Sequence, residues 1–284
     1  MSEFILELYS EEIPPNLQIN ARNDLETKIK SSLIEENLKF GSLKAFSSPT
    51  RLTIFLKDFS EKIKIPSKEI RGPKVGVMED VINNFLKAHN SSRKDLMEKQ
   101  NDKGKFYYIK TKSKEVLTSE VLKKIVVNSI ASIKWKKSMR WSDTDLLWGR
   151  PLRSILAVYN REILAFSYGH LRASDCTVIE KDLDTKVVKV KTVKDYQKLL
   201  LNNNIILNHE EREQKIIKKF ESFYKVKNFK NLYDLKLLKE VTNIVEDPQV
   251  LLIDFDKKYL ELPKEIIIST LQNHQRYFPI IDKK

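Results

Sequence analysis

The feature that most constrains this chain is a change of hydrophobic period between residues 4 and 59. Phe4, Leu6 and Leu8 alternate with Ile5, Glu7 and Tyr9, a period of two that predicts a strand. Pro14-Pro15 ends that strand and presets a first helical turn, after which Leu17, Ala21, Leu25, Ile29 and Leu33 recur at helical spacing. Gly41 stands where that helix would stop. Period two returns from Arg51 to Phe59, with Leu52, Ile54 and Leu56 on one face. A chain that opens strand, helix, strand predicts an α+β fold and excludes a helical bundle or an all-strand sandwich.

The same reading continues downstream. Pro66, Gly72 and Pro73 punctuate an irregular stretch ahead of a short helix with Val81, Ile82, Phe85 and Leu86 inward. Asp102-Lys103-Gly104 reads as a turn into a strand from Phe106 to Thr111, and Thr118 is placed to cap a helix carrying Leu122, Ile125, Val126, Ile130 and Ile133. Leu152 to Tyr168 reads as a hairpin turning at Asn160-Arg161, and Lys186 to Val193 as a strand. From Asp195 to Val245 the pattern is mainly helical, and between Tyr196 and Tyr233 it is heavily charged and free of glycine. A boundary near 193 therefore separates a sheet-containing region, 1–192, from a more helical one, 193–284. The second region ends as strand, helix, strand: Val250 to Phe255 as a buried strand, a helix opened by Pro263, and Tyr277 to Ile281.

Composition narrows the function classes. An excess of 52 Lys+Arg over 39 Asp+Glu, formally +13, favours a polyanionic partner, nucleic acid above all; solvated lysines spread over every face would give the same count. The lone Cys176 excludes an intrachain disulfide and fits a reducing compartment. Glu3, Glu7, Glu11 and Glu12 make the start the opposite of a cationic leader, and no apolar run approaches the roughly 18 residues of a membrane span, so a cytoplasmic location without membrane contact is expected. The four histidines have no ligand-like spacing, and His209-Glu210-Glu211-Arg212-Glu213 is not the His-Glu-x-x-His zinc signature. Six glycines supply no phosphate loop, dinucleotide fingerprint or nucleophile elbow. Neither a catalytic residue, nor a metal ligand, nor a bound cofactor is assigned to this chain.

Basic residues interleaved with aromatics carry the nucleic-acid signal. Met139-Arg140-Trp141 follows Lys134, Lys136 and Lys137 and precedes Trp148, Arg150 and Arg153; guanidinium groups pair with phosphate bidentately, and indoles stack on bases. Arg51 and Arg71 each lie near a proline that fixes the backbone and so aims the side chain. His274, Gln275, Arg276 and Tyr277 combine an imidazole, an amide, a guanidinium and a ring suited to nucleotide edges, phosphate and stacking. The candidate RNA-binding set is thus Arg51, Arg71, Arg140, Trp141, Arg150, Arg153, His274, Gln275, Arg276 and Tyr277, gathered on one shared face. Each has a structural alternative: tryptophans anchoring a core beneath snorkelling cations, arginines in ion pairs, and a helix end satisfied by His274 and Gln275 while Tyr277 and Phe278 fill the core.

Several strings occur in order along nearly the whole chain: Ser10-Glu11-Glu12-Ile13-Pro14-Pro15, Ser48-Pro49-Thr50-Arg51-Leu52, Arg71-Gly72-Pro73, Asp102-Lys103-Gly104, Met139-Arg140-Trp141, Arg150-Pro151, and Leu271-Gln272-Asn273-His274-Gln275-Arg276-Tyr277-Phe278-Pro279. Together they resemble the N-terminal part of the beta subunit of bacterial two-subunit glycyl-tRNA synthetase. The resemblance implies a non-catalytic chain that binds tRNA(Gly), or a catalytic alpha subunit, or both, in an α2β2 enzyme. It places ATP and Mg chemistry on the alpha subunit. The family's HD-like and anticodon-binding domains have no counterpart before Lys284. One departure stands out: where relatives carry Gly-His-Arg-Phe after the central hairpin, the region read as equivalent here is Ile179-Glu180-Lys181-Asp182, whose acids would repel phosphate. A rival reading makes the chain a scaffold for the alpha subunit without direct RNA contact.

Overall fold

The computed structural model describes residues 2–281 except 66, 102–103, 112, 142, 144, 182–183, 228–229 and 232–233, with side chains at 65, 181, 224–227 and 230–231 also outside the description. The expectations at Pro66, Asp102-Lys103, Asp182 and Tyr233 lie outside the described residues.

Strand β1 (Glu3–Ser10) leads into α1 (Pro15–Glu35), then β2 (Phe40–Ser48) and β3 (Arg51–Phe59) return as an antiparallel pair. Asn37, at φ 56°, makes the left-handed step after α1, so an asparagine takes the place of the expected glycine stop, and Gly41 lies inside β2. Strands β4 (Lys62–Ile65) and β5 (Glu69–Lys74), helix α2 (Glu79–Ala88), and strands β6 (Leu96–Asn101) and β7 (Gly104–Lys110) follow. β5, β7 and β6 form a three-stranded antiparallel sheet with β7 central, covered on one face by Ile82 and Leu86 of α2 against Ile109. Gly72 and Pro73, expected in an irregular stretch, form a break in register within β5. A Cβ on Gly72 would lie 2.6 Å from the Phe85 ring, so this glycine lets α2 approach. Val81 points to solvent, contrary to expectation, because the buried stripe of α2 runs through Ile82 and Leu86.

β8 (Lys114–Leu117) pairs with β4 and leads into α3 (Thr118–Ala131). Thr118 does not cap this helix; its hydroxyl donates to the Ser60 carbonyl at 2.6 Å and ties the helix start to the end of β3. β9 (Met139–Arg140) pairs with β10 (Leu147–Trp148), and β11 (Leu152–Tyr159) turns back into β12 (Glu162–Ile163). Asn160 and Arg161, at φ 45° and 73°, build the predicted hairpin turn with both central residues left-handed. β13 (Ser167–Tyr168), β14 (Leu171–Ser174), β15 (Cys176–Lys181) and β16 (Asp184–Lys189) complete this stretch. The strand expected up to Val193 stops at Lys189, because α4 (Val193–Asn202) starts at Val193, capped by Thr192, whose hydroxyl accepts from the Asp195 N–H at 3.0 Å. α5 (His209–Lys227), β17 (Lys230–Asn231), α6 (Leu235–Thr242), α7 (Lys264–Asn273) and β18 (Ile280–Ile281) end the chain.

The alternation in β1 decides the layers. The central sheet runs β13-β14-β11-β1-β3-β2, with β12 also on β11, and is antiparallel except between β11 and β14. Phe4, Leu6 and Leu8 pack with Leu52, Ile54 and Leu56 against α1 and α3. Ile5, Phe55, Leu156 and Val158 pack on the opposite face against Val193, Tyr196 and Leu200 of α4. β1 is therefore covered on both sides, which buries Glu7 along with its apolar neighbours.

Residues 250–255 do not form the expected buried strand. Val250 packs with Phe278 on the cluster of Ile216, Phe220 and Leu238, but Leu251 is 80% exposed and Ile253 61%. An apolar extended run becomes a strand only where a neighbour takes its backbone hydrogen bonds, and here no ladder is formed. α7 likewise has no buried residue.

Candidate nucleic-acid interface

The segment from Lys134 to Arg150 is held by its tryptophans. Trp148 is fully buried and donates its indole N–H to Ser10 Oγ at 3.1 Å; Trp135 packs on it with ring centroids 4.9 Å apart. A Cβ on Gly149 would lie 2.5 Å from the Trp135 ring, so the glycine admits that contact. Trp141 is half-buried against the His170 ring. The β9–β10 register sets Arg140 opposite Leu147 and Met139 opposite the buried Trp148. With the indoles inward, Lys134, Lys136, Lys137 and Arg140 stand exposed, and Arg150 is half-buried, its guanidinium against the Met139 sulfur and the Gly149 carbonyl. Arg140 lies 3.4 Å from Asp145, which is 94% exposed. Such a pair contributes about 0–1 kcal/mol and leaves the guanidinium available to phosphate.

The other candidates lie on other elements, and Arg51 is turned away from any shared outer face. Arg51 points to the α4 side of the central sheet and is 2% exposed. Its Nε donates to Glu7 Oε2 at 3.2 Å, its Nη1 to Thr50 Oγ1 and Glu246 Oε1 at 2.8 and 2.9 Å, and its Nη2 to the Val178 carbonyl. Glu7 also accepts from Thr177 Oγ1 at 2.7 Å and from the Tyr196 hydroxyl. Burial opposes the Arg51 charge, but Glu7, Tyr196 and Glu246 outweigh it and its pKa stands above the usual value; burial, then Glu7, pushes Tyr196 well up. These donors are spent inside the protein. Arg153 lies between Glu11 and Glu180, at 3.6 and 2.6 Å. Arg71 belongs to the small sheet, its guanidinium 3.7 Å over the Phe106 ring. Arg276, at φ 57°, lies in the turn after α7 and pairs with Glu240 at 2.9 Å. His274 is the C-cap of α7 and, with Gln275, is exposed; Tyr277 is 47% exposed while Phe278 takes the core position.

Gly169-His170 went unused in the sequence reading. It forms the turn between β13 and β14 directly after the central hairpin, Gly169 at φ 59° and His170 on Trp141. Ile179-Glu180 belongs to β15, where Glu180 pairs with Arg153. The signal was a glycine-histidine pair one turn past a two-residue hairpin.

Among the described residues, no group of three or more His, Cys, Asp or Glu is placed to hold a metal ion, and no helix is long and apolar enough to cross a membrane. The sequence profile of the family described as "Glycyl-tRNA synthetase beta subunit" matches residues 4–284. Similar curated proteins, each described as "Glycine--tRNA ligase beta subunit", come from Rickettsia prowazekii, 37% identical over 283 residues, and Rickettsia akari, 38% over 287. Another, from Rickettsia peacockii, is 39% identical over 287 residues. All of this chain is covered in each comparison, but only 42–43% of those relatives, so the chain spans about two-fifths of their length.

Proposed function

Because this chain belongs to the glycyl-tRNA synthetase beta subunit family, we propose that it serves glycine–tRNA ligase in the cytoplasm by holding tRNA(Gly), while an alpha subunit carries out ligation with ATP and Mg. The observation that supports this reading is the Lys134–Arg150 segment, where the exposed Lys134, Lys136, Lys137 and Arg140 adjoin the packed pair Trp135 and Trp148. Fixing the acceptor end beside the reacting adenylate removes translational and rotational freedom before the chemical step and needs no reacting group from this chain. The test is tRNA affinity against salt for the parent and for the Lys134→Gln/Lys136→Gln/Lys137→Gln/Arg140→Gln variant. Each phosphate contact adds roughly 0.9 to the slope of log affinity on log salt, so the variant's slope should fall by up to about 3.6. Equal slopes for the two proteins would refute the reading.

A second reading, a scaffold that braces the alpha subunit in an α2β2 enzyme, draws on the apolar surface between Leu251 and Tyr277. It predicts salt-insensitive binding of the alpha subunit that is lost on Leu251→Ser/Ile253→Ser substitution.

A further inference from the structure

The three-stranded sheet has one face on α2, and its other face gathers aromatic rings and cations, with Phe106 buried beneath Arg71. Tyr107 and Ile109 of the central strand β7 pack toward α2, so Phe106 and Tyr108 lie on the other side. The register sets Arg71 of β5 and Met97 of β6 on either side of Tyr108, and Lys74 and Lys99 on either side of Phe106. Glu69 and Lys110 form the next row. The face thus has two rings on its middle strand and four cations around them, with Glu69 as its carboxylate, and Glu69 is engaged by Lys99 at 2.6 Å. Arg71, Lys74 and Lys110 are exposed.

Three contacts show how these groups are arranged. The Arg71 guanidinium lies 3.7 Å over the Phe106 ring, and Lys74 Nζ is 5.9 Å from the same ring. Lys99 Nζ is 5.7 Å from the centre of the half-buried Tyr108 ring. Phe106 is thereby covered on its outer side, and a flat guanidinium stacked on it offers its other face to a base. Tyr108 offers a ring directly. The two positions are two residues apart on one strand, roughly 6.5 Å, so neighbouring bases of an extended strand could each occupy one.

We propose that this outward face binds single-stranded RNA, with bases stacked on Tyr108 and on the Arg71 guanidinium and phosphates paired with Lys74 and Lys110. The charge fits a polyanion. The rings select unpaired bases, because stacking platforms need π-faces that a duplex hides in its interior. This deepens the tRNA-holding role and rests on it, adding a second surface, apart from the Lys134–Arg150 segment, that takes an unpaired stretch of RNA.

The test uses the full chain, a labelled single-stranded oligoribonucleotide of about ten nucleotides, the matching duplex, and tRNA. Tyr108→Ala should weaken oligonucleotide binding roughly ten- to a hundredfold, and Tyr108→Phe should retain it. Arg71→Gln/Lys74→Gln should flatten the salt slope by about 0.7 per cation removed. The Lys134→Gln/Lys136→Gln/Lys137→Gln/Arg140→Gln variant should bind the oligonucleotide like the parent while losing tRNA slope. Oligonucleotide affinity unchanged by Tyr108→Ala, or equal affinity for single strand and duplex, would overturn the inference and leave the Lys134–Arg150 reading standing. Loss of alpha-subunit retention in Tyr108→Ala, with RNA binding intact, would overturn it in favour of a protein partner. Failure of the Lys134–Arg150 variant to alter tRNA binding while Tyr108→Ala abolishes oligonucleotide binding would refute the other site and support this one.

Discussion

Replacing Arg51 with methionine is expected to destabilise the protein by about 3–5 kcal/mol. Methionine nearly fills the space, so the cost lies in what the guanidinium leaves behind. Glu7 stays buried and keeps only the neutral donors of Thr177 and Tyr196. The Val178 carbonyl loses a donor, which costs roughly 1–3 kcal/mol if it stays buried. Glu246, 28% exposed, loses a partner at 2.9 Å but turns to water at little cost. Glu7 therefore dominates, and the Arg51→Met/Glu7→Gln double variant should be more stable than the sum of the single effects predicts, by about 1–3 kcal/mol. Urea unfolding followed by tryptophan fluorescence measures all of these, since the buried Trp148 packs in the core against the central sheet and donates to Ser10 of β1. The salt slope of tRNA binding should be unchanged in folded Arg51→Met. A variant within 1 kcal/mol of the parent in stability, yet with a shallower tRNA salt slope, would refute the argument and return Arg51 to the RNA surface.

Burial, followed by Arg22 and Arg212, lowers the His209 imidazole from its usual 6.5 to about 4. The native state thus excludes a proton that the unfolded chain accepts, so this stability is complete above pH 6.5 and is lost progressively as pH drops toward 4. His209→Gln should lose less stability than the parent between pH 6.5 and 4.5 in urea titrations, and parallel curves would refute this. Arg212 is fully buried and donates to the carbonyls of Thr242, Ile206, Leu207 and Ser47 at 2.6–3.0 Å. A lysine ammonium cannot span this fork, so Arg212→Lys should lower the urea midpoint by the equivalent of about 2–4 kcal/mol. Gly169→Ala adds a Cβ 2.1 Å from Leu146 at φ 59° and should cost about 1–3 kcal/mol, measured as a lower melting temperature without change in tRNA salt slope.

What could be read ahead of the structure was local. β1, α1, β3 and the turn at Asn160-Arg161 follow from side-chain period and turn chemistry, which act over a few residues. The helix stop at Asn37 was missed because asparagine also reaches the left-handed region, and the strand at 250–255 failed because period alone supplies no neighbour. In the candidate interface, the mixture of cations and indoles between Lys134 and Arg150 was visible, but which of them face outward was not. That depended on Trp148 reaching Ser10, 138 residues away in sequence.

The sequence by itself determined the alternation of strand and helix, the basic balance and the kinship. Only the tertiary structure decided the fate of the charges. Arg51 became internal because Glu7, on the adjacent strand, lies under α4, and Glu246 arrives from 195 residues away. Arg71 stayed outside because α2 covers only the opposite face of its sheet. Whether a guanidinium meets a carboxylate or water depends on which distant segment folds over it, and residue order along the chain carries no local trace of that.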